Sequence, residues 1–568
     1  MGAGFRGLGV PGFAVLLACG WCVSRGEVYL PRLVSDTGMS KPSHSAGGDG
    51  NGDGDGRGHH AGGRGHRGGG RGAAASGEPV HAETRHGHMV RDGGDGGGGA
   101  QRVAFTWGIG GARVGRPSDP RPTPPGRAEG LLPGDSVVAA AASGHTAVVT
   151  ASGGLYTCGR NDSAGGGGHG SPPVSDAGQL GHAGAADIFT RVESSGLTGR
   201  VVVAAACGRY HTAAVTSDGG VFTFGLNDRG QLGRAGVMGV AYTDKCICDS
   251  GGECGCGVNG ATVHVPVGGG CYGGGACRSG VATEVSLDGA EYENKKAGST
   301  STAVTAAVAI AIAAGRYSTA VVLESGEVVT WGLNLCGGAR GVTATTLLGD
   351  SSAAAQPRVV RRTHHGGGDG NDGGFLAARD KAKVVAIGYV HMVILTASGD
   401  VYTCDTGFDG YASALTPNRD RQLGRHVSSS EAALLPGLVG GALLGKVVTA
   451  VATGRCHVAV ATEEGEMYSF GCGELGSPGD GSPRRVTVPG GRVVSVAAGE
   501  YFTLAATEDG GLFGWGDGGS GQMGQKVGPG HDRNAAVTID VGAKGGDTVR
   551  VVQAVGGYQH ALAIAQVE

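Results

Sequence analysis

Two sets of side chains in this 568-residue sequence have types and spacings that could do chemistry. The first is a histidine that recurs after a glycine in a Gly-x-x-His pattern or a shortened form of it, at His145, His211, His391, His457 and His560. Histidine can act as acid, base or metal ligand near neutral pH. No nucleophile elbow, H-E-x-x-H metal motif or P-loop stands with these residues in a suitable context. We therefore predict neither a catalytic centre nor a cofactor.

The second set is a cysteine cluster in the interval 240–295. Its members are Cys246, Cys248, Cys254, Cys256, Cys271 and Cys277. Six cysteines can form three disulfides in 15 connectivities, or they can bind zinc, although C-x-C pairs match the usual C-x₂₋₄-C ligand spacing poorly. Both interpretations stay open. Six further cysteines fall in or beside the repeated segments, and we predict that they are small buried hydrophobes: Cys158, Cys207, Cys336, Cys404, Cys456 and Cys472.

Composition restricts the elements that can position these side chains. Glycine supplies 120 residues, aromatic residues 5% and charged residues 17%. Glycine costs roughly 1 kcal/mol at each helical position, so a helical protein is disfavoured. The formal charge of −4 provides no overall basic field, and we expect no direct contact with nucleic acid. After the first 25 residues no stretch is apolar enough to predict a membrane span.

The first hundred residues differ from the rest. Residues 1–25 have an arginine followed by an apolar run, as in a signal peptide; a start site placed too far upstream, or a disordered end, is the alternative. A signal peptide would favour disulfides in the cysteine cluster. Residues 26–101 are rich in Gly, Asp, His and Arg. Such a segment buries too little apolar surface to offset its ordering entropy, so we predict that it is disordered.

From residue 102 one unit recurs: a Val/Ala run, the glycine–histidine step, an apolar stretch, a glycine turn and an aromatic–glycine pair. The histidine position and the aromatic position are 13 residues apart in six copies: 145 and 158, 211 and 224, 318 and 331, 391 and 404, 457 and 470, 502 and 515. Successive copies lie 66, 107, 73, 66 and 45 residues apart. A constant unit with variable connections is typical of a structural repeat with surface loops.

Each unit is predicted to be a pair of antiparallel strands around a glycine with positive φ. The turn glycines are Gly153, Gly219, Gly326, Gly399, Gly465 and Gly510. A seventh copy has its first half at 551–564, and its second half stands at 103–108. Sharing one blade between the two termini closes a ring and leaves no unpaired edge. The sequence therefore predicts an all-β, seven-bladed propeller whose last blade combines strands from both termini.

The complete signature is Gly-x-x-His-Thr, then Gly-x-Val-x-x-Trp-Gly, then Gly-Gln-Leu-Gly. The last element occurs at 178–181 and 230–233, and as Gly-Gln-Met-Gly at 521–524. This signature resembles the RCC1 (regulator of chromosome condensation) repeat over residues 102–568. The resemblance implies a seven-bladed propeller. In exchange-factor members of that family, histidines and acidic groups on one rim meet a small GTPase, so the five histidines are candidates for partner contact. The competing interpretation is that each histidine hydrogen-bonds within the ring.

We therefore expect a propeller at 102–568, with the cysteine-rich insertion, to act as a monomeric protein-interaction platform and to do no covalent chemistry. One hypothesis is a guanine-nucleotide exchange factor or regulator for a Ran-like small GTPase. The alternative is a scaffold without exchange activity. The resemblance implies the cytoplasm or nucleus, whereas a signal peptide would imply the secretory pathway.

Overall fold

The computed structural model describes most of the chain after residue 100. The described residues are 23–24, 27–28, 101–109, 111–116, 122–161, 177–227, 229–234, 256–258, 261–263, 270–271, 277–287, 307–337, 343, 347, 354–361, 380–408, 417–472, 481–525, 527–528, 532–542 and 548–568. The predicted leader and the segment predicted to be disordered lie almost wholly outside these ranges. The same holds for Cys246, Cys248 and Cys254 and for the side chains of Cys256, Cys271 and Cys277.

Seven antiparallel sheets form the propeller, which confirms the predicted fold class. Blades 1 to 7 each have a first strand nearest the axis and three strands outside it. The first strands are Val137–Ala142, Val202–Cys207, Ala309–Ala314, Ala382–Ile387, Val448–Thr453, Val493–Ala498 and Val549–Gly556. The second strands are His145–Thr150, His211–Thr216, Ser318–Leu323, His391–Thr396, His457–Thr462, Phe502–Thr507 and His560–Val567.

The two outer strands complete each blade. The third strands are Leu155–Gly159, Val221–Leu226, Val328–Gly332, Val401–Asp405, Met467–Gly471, Leu512–Gly516 and Gln101–Ile109. The fourth strands are Ala186–Arg191, Cys277–Glu284, Arg358–Val359, Gly437–Leu438, Arg484–Val486, Val537–Thr538 and Pro122–Arg127. In blade 7 the third strand, from residues 101–109, pairs with the second strand, from 560–567.

A few short elements lie outside this pattern. Gly270–Cys271 is a fifth strand of blade 2, Val23–Ser24 pairs with Glu27–Val28, and Cys256–Val258 pairs with Ala261–Val263. The described helices are the 3-10 turns Gly111–Val114, Ser195–Leu197 and Gly441–Leu443 and the α-helix Ser430–Leu434. Within the described ranges, no helix has the length and apolar character needed to cross a membrane.

The first strands of neighbouring blades pack on one another around the axis. Their Val/Ala sequences are buried on both faces, as predicted, except at one half-buried residue where each strand bulges. The bulged positions are Val138, Val203, Ile310, Lys383, Thr449, Val494 and Val552. Small side chains suit this position because the first strands of seven sheets must approach one another closely.

The tight turns between second and third strands need glycine for two reasons. All six predicted turn glycines have positive φ, from +79° at Gly465 to +92° at Gly326 and Gly510, which confirms that prediction. At Gly153 a Cβ would also lie 2.6 Å from Cγ1 of Val201, where the chain enters the next blade. The glycine therefore satisfies both the turn and the contact between blades.

The cysteine-rich insertion is shorter than the predicted interval 240–295. Residues 277–284 are the fourth strand of blade 2 and pair with its third strand. Ala282 and Val285 are buried in the core shared by blades 1 to 3, and the Ala282 amide donates to the Ser194 hydroxyl at 2.8 Å. The end of the predicted insertion is therefore part of the propeller.

Candidate interaction face

The two ends of the ring differ in how the chain crosses them. One end, the turn face, carries the four-residue glycine turns between second and third strands. The opposite end, the mouth face, carries the glycine–histidine steps and the connections from third to fourth strands. Those connections run from 12 residues at 472–483 to 50 residues at 227–276. The long variable segments of the repeats therefore all leave and re-enter the sheets at the mouth face.

The five recurring histidines lie at this end but below its surface. Each is 0% exposed, so it has no atoms with which to contact a partner in this conformation. Four of them reach a threonine at the start of the next blade's second strand. The Nε2–Oγ1 distances are 2.6 Å for His145–Thr212, 2.9 Å for His211–Thr319, 3.1 Å for His457–Thr503 and 2.8 Å for His560–Thr146. The geometry thus places them between blades.

The threonines fix the direction of these hydrogen bonds. Thr212 donates its only hydroxyl proton to the Gln179 carbonyl at 2.6 Å, and Thr319 donates to the Gln231 carbonyl at 2.8 Å. Each hydroxyl must then accept from the histidine, which assigns the proton to Nε2 of His145 and His211. A neutral imidazole suffices for this relay, and burial lowers the pKa of all five histidines to about 3.

The same relay explains the Gly-Gln-Leu-Gly element. Its glutamine carbonyl also accepts from tryptophan in the next blade: Trp331 Nε1 donates to Gln231 at 2.9 Å, and Trp107 Nε1 donates to Gln522 at 2.8 Å. The glycine that ends the element lies under the neighbouring aromatic ring. A Cβ on Gly424 would lie 2.4 Å from Cδ2 of Phe470. The motif therefore joins each blade to the next.

Blade 4 departs from this pattern at two positions. His391 faces Val458 where the other histidines face threonine, and neither of its ring nitrogens makes a geometrically sound hydrogen bond. Asp405 replaces the glycine that ends the other third strands. Its carboxylate is 0% exposed and accepts from the Gly407 amide, the Asn418 amide and the Gln422 side chain, each at 2.7 Å. Burial raises the pKa of Asp405 to about 6.

Cysteines of the repeats also gather near the mouth face. Disulfides join Cys336 to Cys404 and Cys456 to Cys472, with Cα–Cα distances of 5.6 and 5.5 Å. The prediction that these four are unpaired hydrophobes is therefore wrong, because the fold brings each pair within bonding distance. Cys158 and Cys207 are free and buried, as predicted, and burial raises the pKa of both thiols.

A feature that the sequence analysis missed covers the centre of the mouth face. Side chains at and beside the two x positions of Gly-x-x-His stack as alternating arginine and tyrosine, and we call this set the Arg–Tyr ladder. Its members are Arg113, Arg209, Arg316, Arg455, Tyr210, Tyr317, Tyr389, Tyr501 and Tyr558. The guanidinium carbons lie 5.1 to 5.9 Å from the ring centroids, within cation–π range.

The ladder crosses from blade to blade. Arg455 of blade 5 lies 5.2 Å from the rings of both Tyr389 in blade 4 and Tyr501 in blade 6. Arg209 of blade 2 lies 5.9 Å from the ring of Tyr558 in blade 7. The signal was present in the sequence, as Arg–Tyr in blades 2 and 3. Treating both positions as variable concealed it.

No group of three or more metal-ligating side chains occurs in the part of the chain that the structure describes. A cavity of about 740 Å³ lies at the edge of blade 4, and Arg421, His426 and Leu438 are among its lining residues. Arg425, which also lines it, donates to the carbonyls of Thr403, Ala432 and Leu435 and so has a structural role.

Comparison with known families identifies the repeat. The model for the regulator of chromosome condensation (RCC1) repeat matches residues 202–231, 309–337 and 493–522, in blades 2, 3 and 6. The "Protein RCC2 homolog" of Danio rerio is 36% identical over 111 residues, and the human "Protein RCC2" is 38% identical over 98. These alignments cover 20% and 17% of this chain and only 20% and 16% of the relatives.

Two solved structures have the same fold. Human WBSCR16 superposes with a TM-score of 0.53 at 17% identity, covering 82% of this chain and 99% of the other. Prp20p from Saccharomyces cerevisiae, described by its binding properties to Gsp1p and histones, superposes with a TM-score of 0.55 at 16% identity. That match covers 83% of this chain and 92% of Prp20p. At these identities the likeness shows the fold alone.

Proposed function

This chain is a seven-bladed β-propeller built of RCC1 repeats, and we propose that it binds a protein partner through its mouth face to regulate a small GTPase. The observation that carries the proposal is the convergence of all seven variable connections on that face, around the Arg–Tyr ladder. Scaffolds commonly place binding residues on loops held by a rigid frame. The turn face offers short glycine turns instead.

A regulatory role of this kind requires binding and no covalent chemistry. An exchange factor binds the nucleotide-free GTPase more tightly than the loaded form, and so shifts the population towards nucleotide release. A rigid ring held by buried relays between blades can present a preformed surface for that purpose. Because the histidines are buried, the proposal assigns partner contact to the connections and the ladder.

The GTPase is the partner class to test first. Prp20p, which shares the fold, is described by its binding to Gsp1p and histones, and RCC1-like relatives support a regulatory or interaction role. The test is release of fluorescently labelled GDP from a panel of small GTPases that begins with Ran-like members, at micromolar propeller. We expect faster release from one member. No acceleration across the panel would contradict the exchange proposal and leave a binding scaffold.

A scaffold without exchange activity is the second candidate, and the two disulfides favour it. Structural disulfides persist in oxidising compartments and are rare in the cytosol and nucleus, where a Ran-like GTPase would be met. Imaging a full-length protein with a tag at its C-terminus separates the candidates. A secretory location supports the scaffold, and a nuclear or cytosolic location supports the GTPase regulator.

A further inference from the structure

The Arg–Tyr ladder concentrates positive charge and hydrogen-bond donors at the centre of the mouth face. Four guanidinium groups belong to it, at Arg113, Arg209, Arg316 and Arg455. The acidic group next to it is Glu500, whose carboxylate lies 3.7 Å from Arg455. Arg316 is only 2% exposed, so this charge is held largely out of water. The ladder and Glu500 together carry a formal charge of about +3, from four arginines and one glutamate.

The tyrosine hydroxyls increase the excess of donors. Arg209 Nε donates to the Tyr210 hydroxyl at 2.7 Å, and Arg316 and Arg455 donate to the hydroxyls of Tyr389 and Tyr501. A hydroxyl that accepts from a guanidinium keeps its own proton for donation. The ladder thus presents N–H and O–H groups and cannot satisfy itself internally, because few of its atoms are acceptors.

Arg209 and Arg455 are the members through which a ligand can be reached. Both are half-buried, whereas Arg316, Tyr317 and Tyr389 are buried. Among the described side chains, Arg209 also has a buried Nη1 without a hydrogen-bond partner. Guanidinium groups stacked on aromatic rings are preorganised for carboxylates, since their planar donor edges remain available while the faces are covered.

We propose that an acidic segment of the protein partner docks on the Arg–Tyr ladder, its carboxylates accepting from Arg209 and Arg455. This inference rests on the proposed use of the mouth face and adds the chemistry of the partner. The opposite end of the ring would repel such a segment, because its turns carry carboxylates at Asp218, Asp400 and Asp509. Charge therefore orients the partner as well as attracting it.

The test uses the full chain and a fluorescein-labelled peptide of ten glutamates, with a ten-glutamine peptide of equal length as the neutral probe. We expect saturable binding of the glutamate peptide, measured by anisotropy, and at least tenfold weaker binding of the glutamine peptide. Raising NaCl from about 50 to 300 mM should weaken the glutamate complex at least fivefold, because exposed charges are screened.

Variants locate the site. Arg209→Gln combined with Arg455→Gln should weaken glutamate-peptide binding at least tenfold. Arg492→Gln is the matched control, because Arg492 pairs with Glu508 at 3.5 Å on the turn face; it should change the affinity less than twofold. If the double variant does not fold, as judged by circular dichroism, Arg209→Gln alone should still lower the affinity at least threefold.

Equal binding of the two peptides, or unchanged binding in the mouth variants, would overturn the inference. The proposed function has a separate readout, since GDP release is measured without the peptide. A chain that accelerates GDP release but ignores the acidic peptide would contradict the acidic-segment inference alone. A chain that binds the peptide but accelerates no GTPase would contradict the GTPase proposal alone.

Discussion

Val458 stands where four of the five buried histidines find a threonine. In blade 4, His391 therefore lies against an apolar side chain, whereas His145 and its equivalents donate to a hydroxyl. Val458→Thr should give His391 a partner and raise the free energy of unfolding by about 1 kcal/mol, the usual net value of a buried hydrogen bond. Urea unfolding at pH 7.5 measures the change.

Ala561→Thr is the matched control for that substitution. Ala561 starts the second strand of blade 7 and packs in the same cluster as Phe502, which replaces histidine in blade 6. A hydroxyl buried beside a phenyl ring has no partner there, so this variant should be less stable than the parent. If both variants lose stability equally, the relay is not what selects threonine at this position.

Acid should destabilise the ring through the same histidines. Their folded pKa values of about 3 lie below the usual 6.5, so the unfolded chain binds more protons between those values. The stability they provide is complete above pH 6.5 and is lost as pH falls towards 3. Asp405, with its pKa raised to about 6, acts in the opposite sense as one group against five.

The prediction for one histidine is quantitative. Each histidine that takes up a proton on unfolding contributes a slope of about 1.4 kcal/mol per pH unit below roughly pH 6. His211→Gln retains an N–H donor for Thr319 but cannot titrate. Urea unfolding at several pH values between 7.5 and 5 should show a slope smaller by about that amount, and an unchanged slope would contradict the assigned pKa.

Sequence reasoning found the buried histidines but not the surface around them. The repetition of histidine identified the position, and the open choice between ring and partner is decided by 0% exposure, which no spacing reveals. The ladder depends on side chains from different blades meeting over the axis, as Arg209 meets Tyr558. Such contacts join residues hundreds of positions apart and leave no local pattern.

At the scale of strands, the outermost ones were the hardest to predict. Arg358–Val359 and Gly437–Leu438 contain two residues each, too few for an alternating pattern. First and second strands repeat Val and Ala over six residues and were found directly. The fourth strand of blade 2 was included in the insertion because it begins at Cys277, the last cysteine of the cluster.

The corrected boundary of the insertion predicts two different deletions. Replacing residues 240–269 with a short Gly-Ser linker should leave the thermal midpoint within a few degrees of the parent, since long surface loops change loop entropy only slowly. Removing 240–295 should destabilise the chain severely, because it deletes the fourth strand of blade 2 and its buried Ala282 and Val285. Scanning calorimetry of both variants checks this. Equal behaviour would contradict the strand assignment.

The disulfides fasten connections at the mouth face and should contribute measurable stability. Cys456 and Cys472 close a loop of 16 residues, for which the chain-entropy model gives about 3 kcal/mol. Cys456→Ser with Cys472→Ser should lower the free energy of unfolding by roughly that amount. Mass spectrometry of unreduced protein should show both links while Cys158 and Cys207 react only after unfolding. Free thiols at all four positions would contradict the pairing.

At the scale of the whole molecule, the number of blades followed from counting copies, because a constant spacing of 13 residues survives insertions of very different length. The strands at 101–109 and 560–567 then complete the seventh sheet. Which end of the ring is used does not follow from counting. That conclusion needed the strand directions, which bring every long connection and the ladder to one face.

The most direct test of the account compares the two faces in one assay, the release of labelled GDP from the small GTPase that responds to the wild-type chain. We predict that Arg209→Gln with Arg455→Gln, on the mouth face, slows the accelerated release at least tenfold, while Arg492→Gln on the turn face leaves it within twofold. Both variants should retain the parent's circular dichroism spectrum. Acceleration that survives the mouth substitutions, or is lost only with Arg492→Gln, would contradict the assignment of the mouth face as the working surface.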